Sequence, residues 1–346
     1  MDIRANIRAM SGYVPGEQLN DPDIIKLNTN ENPYPPSPRV FDAIRSALTS
    51  DSLRKYPQPL GDTFRKAAGR VLNVDPDSIL IGNGSDDILT ILTRAFVPEG
   101  GLIASATPSY ILYKSLAEIQ GAWFEKVPFT SDWQLGANWP KADLAFLPNP
   151  NSPSGTVVSD SQIEELAGRV NMLVLDQAYV DFSEASGGRQ PPESRRIHSN
   201  IIVTRTLSKS YSLAGIRFGF AIADPALVQE LVKVKDSYNC DVLSLAAATA
   251  AIEDQDYFQE TRSKILATRG RMSIELAKLG FDVTPSHANF LWCRRTDRPL
   301  KPLYEGLKQR KILVRYMNYD GYDGLRISVG TDVEIDRLLT ELRNLL

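Results

Sequence analysis

Arg205–Gly219 reads RTLSKSYSLAGIRFG and follows directly on the β-branched run IIVT, Ile201–Thr204. The run has the composition of a buried strand, so Lys209 stands just past a strand end. Its neighbours are Ser208 and Ser210, and the next charge is Arg217. A solvated lysine usually sits among other charges on a helix face. In neutral, hydroxyl-rich surroundings, partial burial lowers an amine's pKa and frees it to condense with a carbonyl. Thr206 and Ser208 are placed to donate to a phosphate, and Arg217 to clamp it with a charged fork.

Outward from this strand the pattern repeats. SILIGN, GLIASATP, ADLAFLPNP, NMLVLDQAY and FGFAIAD are further strand candidates, separated by helical stretches such as DDILTILTRAF, where Ile88, Ile91, Leu92 and Ala95 recur at helical spacing. Strands alternating with helices predict an α/β fold: a large three-layer domain whose mostly parallel central sheet is covered on both faces. After VKVKDSYNCDVLS the pattern changes. One long helical region, Leu245 to Leu279, leads to FDVTPSHANFLWC, a helix near LKPLYEGLKQR, the strands ILVRYM and GLRISVG, and a closing helix EIDRLLTELRNLL. This is a smaller α+β domain. The expected division is an N-terminal arm over 1–30 packing with the small domain, a large domain over 31–236 and the small domain over 237–346. LNTNENPYPPSPRV, Leu27 to Val40, is too rich in proline for a helix or a central strand, and regular helices are expected from Phe41 onward.

A chain of 346 residues is long enough for about two domains. Lys and Arg total 39 against 42 Asp and Glu, a formal net charge of −3, so no global basic field favours nucleic acid. Two cysteines, Cys240 and Cys293, and two histidines, His198 and His287, give neither a disulfide framework nor a thiolate–imidazole metal site. The first residues, MDIRANIRAMSGYVPGEQ, lack a signal peptide's apolar core, and no run approaches a membrane span. A soluble cytoplasmic protein acting on small molecules is the expectation.

In open α/β sheets ligands bind beyond the carboxyl ends of the strands, and the polar residues of this chain gather there. After SILI comes GNGSDD, with Gly84, Ser85 and Asp86 opening a helix whose free N–H groups favour a phosphate. A dinucleotide fingerprint would need glycine where Asp87 stands, which argues against a dehydrogenase. After NMLVL comes DQAY, Asp176 to Tyr179. A carboxylate behind five apolar residues needs a cationic or donor partner. A protonated pyridine nitrogen would serve, because Asp176 would then hold the ring as an electron sink.

Taken together, LNTNENPYPPSP, YPQP, GNGSDD, PSYILY, PNPNSPSG, DQAYVDF, RTLSKSYSLAGIRFG, SHANF and LRISVGT resemble, in order and spacing, the histidinol-phosphate aminotransferase family. This is a family of pyridoxal-phosphate-dependent class I/II aminotransferases with fold type I, and the resemblance covers almost the whole chain. It implies pyridoxal 5′-phosphate bonded to Lys209, with Asp176 on the pyridine nitrogen, Tyr179 and Asn151 on the ring oxygen, and Tyr110 stacked on the ring. Gly84, Ser85, Asp86, Thr206, Ser208 and Arg217 would hold the phosphate. Tyr56 would reach in from the partner subunit of a homodimer with shared active sites. Arg326 and Arg315 would take the substrate's anion, and Tyr13 would close over it from the arm.

The implied reaction is ping-pong transfer of an amino group between histidinol phosphate and 2-oxoglutarate, the latter becoming glutamate, in histidine biosynthesis. Lys209 would move the α-proton, and no metal, nucleic acid or membrane is involved. Three departures from the family stand out: Gln177 in place of the usual glutamate, Ser152 in place of an asparagine ascribed to the ring oxygen, and Ser212 where glycine is common. An aromatic aminotransferase or a phosphothreonine decarboxylase would keep Lys209, Asp176 and Arg217. A non-catalytic, cofactor-binding regulator would need an added DNA-binding segment, for which the expected domain division leaves no room.

Overall fold

Leu173–Asp176 and Ile201–Thr206 are buried at every residue, as strands covered on both faces must be. The computed structural model describes residues 2–12, 16–17, 21, 23–184, 199–319 and 322–346. Its strands, in chain order, are β1 Ile25–Leu27, β2 Ile79–Gly82, β3 Leu102–Thr107, β4 Trp123–Pro128, β5 Leu144–Pro148, β6 Leu173–Asp176, β7 Ile201–Thr206, β8 Gly219–Ile222, β9 Asp282–Thr284, β10 Phe290–Arg294, β11 Ile312–Tyr319 and β12 Tyr322–Ser328.

The larger sheet has seven strands in the order β2-β8-β7-β6-β5-β3-β4. Only β8 runs against its neighbours; the other pairings in this sheet are parallel. The two-residue period assigns alternate side chains to opposite layers. Ile79, Ile81, Leu173, Leu175, Ile201 and Val203 share one core with helices Asp62–Leu72, Asp160–Ala167 and Val242–Glu253. Leu80, Val174 and Ile202 point the other way, against helices Ser85–Phe96, Leu112–Gln120 and Pro225–Val232. This is the three-layer α/β domain that the sequence predicts. The edge strand β4 is mostly exposed, and the apolar-run criterion passes over it for that reason.

The second sheet runs β1-β11-β12-β10-β9, antiparallel except that β1 joins β11 in parallel. Its core combines Leu27, Leu291, Ile312, Val314, Leu325 and Ile327 with the helices Gln255–Lys278, Lys301–Gln309 and Asp332–Leu345. The expected helical region Leu245–Leu279 is two helices, parted at Asp254, which leaves helical geometry with φ −90° and ψ 73° and whose carboxylate accepts from Ser37 Oγ at 2.5 Å. The first of the two carries Leu245, Ala247, Ala248, Ala251 and Ile252 into the large-sheet core, although it follows residue 237. The large-sheet core therefore reaches past the expected boundary. Regular helix also begins before Phe41, with Pro38 in the first turn and the Ser37 side chain accepting from Arg39 N.

Candidate active site

Because β2, β3, β5, β6 and β7 point the same way, their carboxyl ends meet, and β8 starts among them. Register fixes the match: Pro148 lies opposite Asp176, Asp176 opposite Thr204, and Gly219 opposite both Gly82 and Thr206. Over these ends opens a cleft of about 320 Å³, the size of a small-molecule site.

Lys209 enters it from the turn after β7. That turn is closed by Leu207 N donating to Phe218 O and Leu213 N donating to Leu207 O, both at 3.0 Å, with both leucine side chains buried. Ser210 is held by its hydroxyl donating to Asp181 Oδ2 at 2.5 Å. Lys209 Nζ donates to Thr29 O at 2.9 Å. Burial of the ammonium, with Arg326 and Arg217 nearby, pushes Lys209 down to about 8, so a useful share of neutral amine exists near neutral pH.

Asp176, 6% exposed, ends β6. Its Oδ2 accepts from the Tyr113 hydroxyl at 2.8 Å and its Oδ1 from Ala178 N at 3.1 Å. Burial raises its pKa against these hydrogen bonds, and among the described residues no lysine, arginine or histidine pairs with it. Tyr113 is fully buried and stacked on Phe146 with ring centroids 4.6 Å apart. Tyr110, one helical turn earlier, lines the cleft and donates to Asp86 Oδ1 at 3.3 Å.

At the end of β2, Gly84 has φ 84° and ψ 167°, a region open essentially only to glycine. A Cβ there would lie 2.6 Å from Arg217 Nη2, and one on Gly219 would lie 2.5 Å from Ser85 N. The chain is thus brought close enough for the Ser85 helix start to face Arg217, Thr206 and Ser208. Arg217 donates to Ser208 Oγ at 3.3 Å and pairs with Asp86 at 3.6 Å, and Thr206 Oγ1 donates to Ser208 Oγ at 3.0 Å. Across the cleft Arg315 and Arg326 stand opposite each other on β11 and β12. Arg326 donates to Ser152 Oγ at 2.9 Å and to Asn28 O at 2.8 Å.

One residue expected in the chain's own cleft falls elsewhere. Asn151 is not among the residues lining the cleft; its amide donates to Ser154 Oγ at 2.8 Å and Pro108 O at 3.3 Å, closing its own loop, and Ser152 takes the place on the cleft wall. Tyr56 lies away from its own chain's cleft, 80% exposed and stacked on Tyr238 at 4.4 Å. Tyr13 lies outside the described residues, as does His198. Reading by residue type missed Tyr113 and the segment Asn28–Glu31. Asn30 Nδ2 donates to the Tyr179 hydroxyl at 3.0 Å, and Asn30 is itself pinned by Ser328 and Asn289. The available signal was the helical spacing of Tyr113 from Tyr110. For Asn30 it was the polar, proline-bounded motif LNTNENP, Leu27 to Pro33.

The residues fit a pyridine ring bearing a phosphate. A buried carboxylate without a cation suits a pyridinium, a glycine-bound helix start beside Arg217 suits the phosphate, and a lysine held near 8 suits the carbonyl carbon. Among the described residues no group of three or more potential metal ligands occurs, and no helix is long and apolar enough to cross a membrane. Fold and site together define a pyridoxal-phosphate-dependent transferase of fold type I.

Comparison with known proteins agrees. The model for aminotransferase class I and II matches residues 22–342. The histidinol-phosphate aminotransferase of Rhodopirellula baltica is 52% identical over 97% of this chain and 93% of its own, and that of Geotalea uraniireducens 47% over 99% of each. The crystal structure of histidinol-phosphate aminotransferase from Sinorhizobium meliloti, in complex with pyridoxal-5′-phosphate, superposes with a TM-score of 0.88 at 27% identity, covering 99% of this chain and 98% of that one. The chain belongs to the class I and II aminotransferases and, within them, to the histidinol-phosphate aminotransferase family.

Proposed function

We propose that this protein transfers an amino group between histidinol phosphate and 2-oxoglutarate, yielding imidazole acetol phosphate and glutamate, as a cytoplasmic homodimer in histidine biosynthesis. The observation that carries the reading is the convergence of Lys209, Asp176, Tyr179 and the paired Arg315 and Arg326 on one cleft. Pyridoxal phosphate, when bound, supplies a ring that takes up the electron pair left at the substrate's α-carbon.

The chain's own residues do the rest. Asp176 holds the ring nitrogen's proton, and its carboxylate is kept in place by Tyr113 and Ala178 N. Tyr179 and Ser152 would serve the ring oxygen, a role given to Ser152 because it lines the cleft while Asn151 is turned into its own loop. Tyr110 would cover the ring, while Ser85, Thr206, Ser208 and Arg217 would hold the phosphate. Lys209 Nζ would hold the cofactor, and as a free amine it would take the α-proton as general base and return it as general acid. Its hydrogen bond to Thr29 O gives the free amine a fixed position.

Arg315 and Arg326 bind the phosphate of one substrate and a carboxylate of the other, because guanidinium meets both in the same planar geometry. Tyr56 and Tyr238 form an exposed aromatic pair of the kind a partner subunit covers, and from there Tyr56 completes the partner's phosphate site. The test is a scan of single half-reactions with histidinol phosphate, phenylalanine, tyrosine and phosphothreonine. Histidinol phosphate is expected to lead in kcat/KM. Leadership by an aromatic amino acid would move the assignment to an aromatic aminotransferase.

A further inference from the structure

We propose that Glu31 recognises the imidazole ring of the substrate, its carboxylate accepting a hydrogen bond from a ring N–H. This rests on the reading that histidinol phosphate is the substrate. Among the described residues three carboxylates line the cleft: Asp86, Asp176 and Glu31. Asp86 is paired with Arg217, and Asp176 lies buried against Tyr113. Glu31 is the third, paired with Lys26 outside the cleft lining rather than with a group the cofactor's phosphate or ring nitrogen would need.

Its position is set by what flanks it. Oε1 accepts from Lys26 Nζ at 2.6 Å and Oε2 from Thr29 Oγ1 at 2.9 Å, and a carboxylate has about four acceptor sites, so both oxygens can take another donor. The adjoining Asn30 is fixed to Ser328 and Asn289, and Thr29 O to Lys209. The negative charge of Glu31 pulls the pKa of Lys209 upward against burial, which puts it within electrostatic reach of the reacting amine.

Glu31 shares the cleft lining with Arg315, Arg326 and Lys209, and its charge opposes an anionic group placed beside it. It favours a substrate that brings a donor. Imidazole is such a group, and with an ordinary pKa of about 6.5 it is held protonated beside a carboxylate. A phenyl ring offers no donor, so Glu31 also separates histidinol phosphate from phenylalanine.

The test is Glu31→Gln in the holoenzyme, which keeps the shape and removes the charge. The KM for histidinol phosphate is expected to rise about tenfold, the difference between a charged and a neutral acceptor. The kcat should stay nearly constant, the KM for 2-oxoglutarate should be unchanged or lower, and the preference over phenylalanine should shrink. Lys26→Met, which breaks the ion pair but keeps the carboxylate, is expected to leave these values near wild type. Equal changes in both half-reactions, no change in either, or a Lys26→Met effect matching that of Glu31→Gln would each overturn the proposal, because Glu31 would then only hold the chain in place. Failure of the wild type to use histidinol phosphate would instead defeat the substrate assignment, and the role of Glu31 with it.

Discussion

At Lys209 and Asp176 the same cause, removal of charge from water, pushes two groups toward their neutral forms. For Lys209 this gives a direct prediction in the apoenzyme. An amine-selective acylating reagent should label it with a midpoint near pH 8, well before the exposed lysines. The stability consequence has a definite sign. Between pH 8 and the unfolded lysine's value of about 10.4 the unfolded chain binds a proton that the folded chain lacks, so stability rises with pH there and the burial cost is full below 8. Urea melts of apo Lys209→Met should lack that rise. Asp176→Asn is expected to retain cofactor through the phosphate contacts while turnover falls by roughly 10²–10³-fold, since nothing else holds the ring nitrogen's proton. Near-wild-type turnover of that variant with cofactor bound would contradict the role given to Asp176. Arg326→Gln should raise KM for both substrates, each by about 10-fold or more, the worth of a charge-assisted pair.

The turns between elements matter as much as the side chains they carry. Gly84→Ala should weaken cofactor binding, because the new Cβ meets Arg217 Nη2 at 2.6 Å and the backbone must leave a glycine-only conformation. Equilibrium dialysis of the cofactor would measure it, with unchanged affinity as the contrary result. The central strands were legible in the sequence because both faces are buried and the apolar runs are unbroken, and the polar residues behind them followed from chain direction. β4 was not, because an exposed edge strand needs no apolar run. The helix Val242–Glu253 joins the large-sheet core although it follows the expected boundary at 237, and the break at Asp254 that parts it from the next helix is one that helical periodicity does not register. Asn151 and Ser152 are neighbours of similar polarity; which of them faces the cleft is decided by the local bonds to Ser154 and Pro108. The role of Asn28–Glu31 depends on β1 pairing with β11, a contact between segments nearly 290 residues apart.

For the whole molecule, the dimer proposal makes the active site a property of two chains. Mixing Lys209→Ala with Tyr56→Ala subunits should regenerate one intact site in each hybrid dimer, because the Lys209 of one chain and the Tyr56 of the other are then both wild type. With random reassociation about a quarter of wild-type activity is expected, and no recovery would contradict the sharing of Tyr56. The central claim, that one cleft at the strand ends is built around a cofactor-bearing lysine, is tested most directly on the intact holoenzyme. Borohydride reduction fixes the cofactor to whichever amine holds it, and peptide mapping then reports which lysine of the chain carries the label. The label is expected on Lys209 alone, with loss of transamination; a label on any other lysine, or none, would contradict the site described here.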